Sequence, residues 1–456
     1  MKMEECKETA VYMWGYLPGV SPEKSPILSP VQVPFPASSI QGVDSWKDIC
    51  GGGCGFAMAI SGSGKLISWG STDDEGQSYI TSGKHGEIPE PFPLPHEASV
   101  VKAAAGWAHC VSVTAAGSFQ KDNDGKQNAL PTEEVSPRSQ GSSLTGRTVS
   151  QSENSRAGEE IIKKRKVSTV KEEFENSSSG DDFFTVSPSL VTLGPGVRIT
   201  SVATGGRHTL ALSVSDMGQV WGWGYGGEGQ LGLGSRIKMV SSPHLIPCLD
   251  TSALGKDRSM IAPQGSLDSS AKASKFPGSY VKVIARGGRH SAVVTDAGAL
   301  FTFGWGLYGQ CGQVSTNDQL RPACVPTLSG IKVESVAGGL WHTICITADG
   351  HVYAFGGNQF GQLGTGADLA ETQSTQLDAP CLESKCAKMV SCGARHSAIL
   401  TEDGQVYSLG WNKYGQLGLG DSIDRNIPSR VPIEGCQPKN VACGWWHTLL
   451  LAEIPL

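Results

Sequence analysis

One short motif recurs so regularly in this chain that it dictates the architecture. Gly106-Trp107-Ala108-His109, Gly205-Gly206-Arg207-His208, Gly287-Gly288-Arg289-His290, Gly339-Leu340-Trp341-His342, Gly393-Ala394-Arg395-His396 and Gly444-Trp445-Trp446-His447 each place a glycine three residues before a histidine. Gly53-Cys54-Gly55-Phe56 is a seventh copy with phenylalanine in the histidine place. Successive copies lie 53, 99, 82, 52, 54 and 51 residues apart. A period of about 50 residues marks one supersecondary unit used many times, two of them enlarged by insertions.

After its histidine each unit alternates apolar residues, turns on glycine and alternates again, as in Thr343-Ile344-Cys345-Ile346-Thr347, Asp349-Gly350 and Val352-Tyr353-Ala354-Phe355-Gly356. Period-two alternation around such a turn predicts a β-hairpin. A second glycine motif follows: Gly229-Gln230-Leu231-Gly232, Gly309-Gln310-Cys311-Gly312, Gly361-Gln362-Leu363-Gly364 and Gly415-Gln416-Leu417-Gly418. Seven small antiparallel sheets at this period pack radially, so the predicted fold is all-β, a seven-bladed β-propeller. The chain ends in His447-Thr448-Leu449-Leu450-Leu451 without a partner strand and begins with Val11-Tyr12-Met13-Trp14-Gly15 of the partner type. N- and C-terminal strands are therefore expected to pair and close the ring.

These linked elements, Gly-x-x-His, Val-Tyr-x-Trp-Gly and Gly-Gln-Leu-Gly, resemble the regulator of chromosome condensation repeat. The resemblance covers nearly everything outside two insertions and implies a seven-bladed propeller. The family includes an exchange factor for the Ran GTPase that docks on nucleosomes, the plant UV-B photoreceptor, and many non-catalytic interaction modules.

Composition bounds what such a ring can do. Glycine and proline, at 59 and 25 of 456 residues, stay below the ~25–30% of a low-complexity chain, and the net charge of −6 is not that of a polybasic nucleic-acid binder. Direct DNA binding is thus not expected. No apolar run approaches the ~18 residues of a membrane span, and the acidic start Met1-Lys2-Met3-Glu4-Glu5 does not read as a secretory signal, so an intracellular protein is expected. The 13 cysteines contain no Cys-x-x-Cys and are expected as buried apolar thiols.

Residues 1–118 and 187–456 form the expected propeller, while 119–186, rich in Ser, Glu, Lys, Asn and Gln, reads as a disordered insertion. A shorter flexible insertion is expected over 255–278, leaving the same kind of blade connection. Within the first lies Lys163-Lys164-Arg165-Lys166-Val167, a basic run that resembles the import signal read by importin α. Both nuclear and cytoplasmic residence fit such a signal.

No catalytic constellation is legible. Gly222-Trp223-Gly224-Tyr225-Gly226-Gly227 and Gly304-Trp305-Gly306-Leu307-Tyr308-Gly309 match a dinucleotide fingerprint but fall inside the repeat rather than between a strand and a helix. The repeat histidines His109, His208, His290, His342, His396 and His447, one per blade, are expected to be structural; no metal or other cofactor is expected. The positions between glycine and histidine carry Trp107, Arg207, Arg289, Trp341, Arg395, Trp445 and Trp446, which either gather on one binding surface or pack blade against blade. In the UV-B photoreceptor successive blades carry Gly-Trp-Arg-His-Thr. Here no unit has Trp followed by Arg, and Trp341 and Trp446 stand in the Arg place, which speaks against a tryptophan cluster.

The expected function is a nuclear, non-enzymatic interaction platform for a chromatin-associated protein such as a histone. Nucleotide exchange on a Ran-type GTPase is the alternative, with Asp296, Asp349 and Asp403 as its acidic candidates, and UV-B signalling is a third reading.

Overall fold

The computed structural model describes residues 8–16, 26–36, 44–53, 55–70, 88–94, 98–107, 109–115, 132–135, 188–191, 193, 196–214, 218–247 and 280–455. The strands among them form seven four-stranded antiparallel sheets. The architecture is an all-β propeller. In chain order the first sheet runs from Trp46–Gly52 to Glu90–Pro91, and the second from Val100–Ala105 to Ser189–Val191. The third spans Ile199–Thr204 to Ile237–Leu245, the fourth Val281–Arg286 to Gln319–Cys324, the fifth Val333–Gly338 to Glu371–Gln376 and the sixth Ala387–Cys392 to Arg425–Arg430.

The last sheet is the expected clasp. Gln437–Cys443 and His447–Ile454 come from the C-terminus, Glu8–Gly15 and Ile27–Val33 from the N-terminus. Glu8–Gly15 pairs with His447–Ile454 along its full length, from Glu8 opposite Ile454 to Gly15 opposite His447. Trp14, wholly buried, donates its indole N–H to the Gln416 carbonyl at 2.9 Å, tying this sheet to the sixth.

Sequence pattern and position in the sheet agree. Second strands such as His290–Thr295, His342–Thr347 and His396–Thr401 are buried at every residue because both faces meet neighbouring sheets. The outermost strands, such as Glu371–Gln376, are polar and only partly covered. The core is a series of clusters between sheets; one joins Trp14, Trp46, Trp69, Val441 and Leu449 across the clasp and the first sheet.

Two expectations are corrected. Thr132–Val135, inside the stretch expected to lack structure, is the third strand of the second sheet, between Cys110–Thr114 and Ser189–Val191. Its backbone supplies ladder hydrogen bonds that a sheet needs whatever its side chains. The two insertions also leave different connections. The first interrupts the hairpins of the second sheet on both sides of Thr132–Val135, whereas the second separates the last strand of the third sheet from the first strand of the fourth. The remainder of 119–186 and all of 255–278 lie outside the described residues.

Candidate interaction face

Each repeat histidine opens a second strand, or in the case of His109 immediately precedes it, and lies at the boundary with the next sheet. His109 Nε2 lies 2.8 Å from Thr209 Oγ1, and His208 Nε2 lies 3.0 Å from Ser291 Oγ. His290 meets Thr343 at 2.8 Å, His342 meets Ser397 at 2.8 Å and His396 meets Thr448 at 3.0 Å. Ser291, Thr343, Ser397 and Thr448 each donate their single hydroxyl proton to a glutamine carbonyl, of Gln230, Gln310, Gln362 and Gln416 respectively. The imidazole facing each of these hydroxyls must therefore donate from Nε2. Histidine, hydroxyl and Gly-Gln-x-Gly carbonyl thus form one relay across the sheet boundary.

Burial fixes the charge of these rings. Desolvation holds His109 and His447 down to about 4, and His208, His290, His342 and His396 down to about 3, so all are neutral at physiological pH. The glycine of the motif has a steric cause: a Cβ on Gly393 would lie 2.1 Å from His396 Cε1. The histidines are locked struts, and no group of metal-ligating side chains is found among the described residues.

The two residues between glycine and histidine have different fates. At the first position Leu340, Ala394 and Trp445 turn inward and cluster beside Trp446, whereas Trp107 is exposed. The second position lies on the face where second strands begin and third strands end. There Arg207 stacks over Trp107 at 5.8 Å and Arg289 over Trp305 at 5.1 Å. Arg395 sits among four rings, 4.9 Å from Phe360, 5.2 Å from Trp411, 5.4 Å from Trp341 and 6.0 Å from Trp446. Its buried Nε has no hydrogen-bond partner, so the guanidinium is held by ring faces, a favourable cation–π setting.

These contacts run together into one aromatic surface. Trp305 meets Tyr308 at 5.5 Å, and Tyr308 meets Trp341 at 5.1 Å. Trp411 meets Trp446 at 5.1 Å, Trp446 meets Trp445 at 6.2 Å, and Trp445 meets Trp107 at 5.2 Å. The sequence argument against a tryptophan cluster is thereby corrected. Trp445 reaches Trp107 two sheets away, across the first sheet, whose own motif carries no tryptophan.

All seven residues singled out at the motif are linked through these ring and cation–π contacts, with Trp445 buried and Trp107 exposed. Sequence reasoning missed Trp305, Tyr308, Phe360, Trp411 and Tyr414. Their signal was present: Tyr308, Phe360 and Tyr414 each precede a Gly-Gln-x-Gly, and Trp305 and Trp411 each follow the glycine ending a third strand. Glu228 occupies the same register as Tyr308; it accepts from Tyr225 and pairs with Arg289 at 3.3 Å. The acidic turn residues lie at the opposite ends of the same strands, where Gly298, Gly350 and Gly404 close hairpins back to Thr295, Thr347 and Thr401. Asp403 is paired there with Lys385. Lys163, Lys164, Arg165, Lys166 and Val167 lie outside the described residues.

Comparison with known proteins agrees with this geometry. A family model described as the RCC1-like domain matches residues 179–453. The chain belongs to the RCC1-like domain family. It is 34% identical over 292 residues to the ultraviolet-B receptor UVR8 of Arabidopsis thaliana, an alignment that covers 59% of this chain and 66% of the receptor. The chain thus matches just under two thirds of that relative's length. Among solved structures, human WBSCR16 superposes with a TM-score of 0.67 at 21% identity, covering 99% of this RCC1-like chain and all of the other. Prp20p of Saccharomyces cerevisiae, a structure described together with its binding to Gsp1p and histones, does so with a TM-score of 0.66 at 18% identity over 99% and 93% of the two chains. At these identities the structures speak for the fold.

Proposed function

We propose that this RCC1-like chain is a non-enzymatic, seven-bladed interaction platform that works in the nucleus on a chromatin-associated protein. The observation that carries the reading is the continuous aromatic and arginine face. Trp and Arg are the side chains most enriched at binding hot spots, and here their rings and guanidinium planes are held by one another before any partner arrives, which lowers the ordering cost of association. Arg207, Arg289 and Arg395 outnumber Glu228 among the charged side chains of these contacts. The face therefore suits an acidic patch on its partner, including one on an otherwise basic histone octamer, although the whole chain is acidic. Lys163–Val167 would supply import through importin α.

Nucleotide exchange is the second reading, favoured by the fold shared with Prp20p, whose description names Gsp1p beside histones. It would draw on the turn-end face with Asp349 and Asp403. UV-B perception is the third, favoured by the likeness to UVR8 and by the 5.1–6.2 Å tryptophan chain.

The test uses purified partners. The intact chain is presented with histone octamer, and separately with a nucleotide-free Ran-type GTPase in EDTA, beside an Arg207→Glu, Arg289→Glu variant and an Asp349→Lys variant. Histone binding weakened at least tenfold by the arginine changes and untouched by Asp349→Lys supports the platform. Tight GTPase binding released by GTP and lost in Asp349→Lys overturns it in favour of exchange, and a UV-B-induced change of oligomeric state would install the third reading.

A further inference from the structure

Near the N-terminus three Ser-Pro dipeptides stand four residues apart, Ser21-Pro22, Ser25-Pro26 and Ser29-Pro30. The third lies among the described residues, in Ile27–Val33, the outermost strand of the clasp sheet. That strand pairs on one side only, with Glu8–Gly15, and the pairing is irregular where Ser29 sits. Met13 opposes Val31 and Gly15 opposes Ile27, so Leu28, Ser29 and Pro30 face the single residue Trp14. A bulge of this kind disrupts the ladder locally, and Ser29 is exposed. Strand ends with few partners open at lower cost than the rest of a sheet.

The place of Ser29 recurs in other sheets. Met13 opposite Val31 corresponds to Thr302 opposite Ala323 and Ser408 opposite Ser429, which puts Ser29-Pro30 in register with Arg321-Pro322 and Ile427-Pro428. Each time the residue before proline lies over a glycine of the preceding sheet. A Cβ on Gly234 would come 2.8 Å from Arg321 Nε, one on Gly366 3.8 Å from Ile427 Cγ2, and one on Gly420 3.6 Å from Ser29 Oγ. The Gly420 N–H also donates to the Leu28 carbonyl at 2.9 Å, as the Gly234 N–H does to Leu320 at 2.8 Å. A register that holds an arginine in one sheet has room for a phosphoryl group on serine in another. The charge is what differs: the residue after Gly420 is Asp421, whose carboxylate already engages Arg425 at 2.6 Å.

We propose that Ser29 is a phosphorylation site for a proline-directed serine/threonine kinase, and that its phosphate loosens the clasp. In the transfer Ser29 Oγ bonds to the γ-phosphorus of ATP, and the bond from that phosphorus to the β–γ bridging oxygen breaks. ADP leaves, and the hydroxyl proton passes to the base of the kinase. The product carries about −1.5 to −2 charges over Gly420 and beside Asp421, where like charges repel. The repulsion falls on the hydrogen bond from Gly420 to Leu28, which ties the outermost strand of the clasp to the sixth sheet. The site does not depend on the aromatic face or on what binds there.

The test uses the folded full chain carrying Ser21→Ala and Ser25→Ala, incubated with ATP and a cyclin-dependent kinase, then with a mitogen-activated kinase. Mass spectrometry reads residue 29, and thermal unfolding compares the modified with the unmodified chain. Phosphate is expected on Ser29, with the unfolding midpoint lowered by about 2 °C and about half of that shift removed by Asp421→Asn. Should Asp421→Asn not fold, about 1 M salt replaces it, since screening to a ~3 Å Debye length should shrink the same shift. Modification of residue 29 by neither kinase, or only after the chain is denatured, overturns the site. A midpoint unchanged or raised by the phosphate overturns the loosening, and a shift indifferent to both Asp421→Asn and salt overturns its electrostatic cause.

Discussion

His342 Nε2 and the Ser397 hydroxyl meet at 2.8 Å across the boundary between two sheets, and Ser397 passes the bond on to the Gln362 carbonyl at 3.0 Å. One boundary dispenses with the arrangement: Phe56 replaces histidine in the first sheet, and Cys110 stands in its cluster where the neighbouring hydroxyl would be. Donor and acceptor are absent together, which removes the cost of leaving either unpaired. Ser397→Cys alone should therefore destabilise by about 2 kcal/mol, since it strands a buried N–H and a carbonyl. His342→Phe added to it should recover about 1 kcal/mol of that loss. Denaturant unfolding of the two single variants and the double variant measures the coupling, and simple additivity would refute it.

The boundary between the clasp and the first sheet is incomplete in another way. His447 keeps its ring, both nitrogens are buried without a partner, and the residue in the hydroxyl position is Ala57. Ala57→Ser supplies an acceptor at the cost of one added oxygen and should raise stability by about 1 kcal/mol. A lowered unfolding midpoint would show that His447 is satisfied in some other way.

What was legible in the sequence is what repeats. The Gly-x-x-His copies announce themselves because each glycine must leave room for its own histidine, a constraint renewed in every sheet. The clasp was legible because Val11–Gly15 is written as a third strand with no second strand before it. Thr132–Val135 was hidden: Thr-Glu-Glu-Val has no alternation, and only pairing on both sides makes it a strand. Trp411 and Tyr308 were in register yet overlooked, since their motif was read for its glycines.

Two glycines separate steric from conformational need. Gly393 would place a Cβ 2.1 Å from His396 Cε1 and 2.6 Å from the Gly444 carbonyl, and Thr448 holds the ring in place. Gly435 has φ +71° with nothing near its missing Cβ. Gly435→Ala should cost about 1 kcal/mol, the strain of a left-handed residue. Gly393→Ala adds a clash in a packed interior and should cost about 3 kcal/mol. Equal costs by denaturant titration would mean that the histidine ring yields freely.

The clasp should be the weak point of the ring when truncated. Removing residues 1–15 strips one of the two partner strands from the whole of His447–Ile454 and takes Trp14 out of the core. Trp14→Ala alone should cost about 3–5 kcal/mol. The truncated chain should also self-associate through the open edge. A monodisperse, native-like truncation on size exclusion would show that the ring closes without the clasp.

Acid should unfold this protein well before its carboxylates are titrated. Six histidines are held neutral by burial with pKa values of about 3 to 4, against 6.5 for an unburied ring. Above pH 6.5 both states are neutral at these rings and stability is at its maximum. As pH falls below 6.5 the unfolded chain takes up protons that the folded one refuses, and stability drops until the folded pKa values are reached. Each ring contributes up to ~1.4 kcal/mol per pH unit, so six acting together exhaust a stability of ~5–15 kcal/mol within about two units. The denaturant midpoint should fall steeply between pH 6.5 and 5, and His342→Phe should flatten the slope by about one proton. A midpoint unchanged over that range would mean that the rings are hydrated and free to titrate.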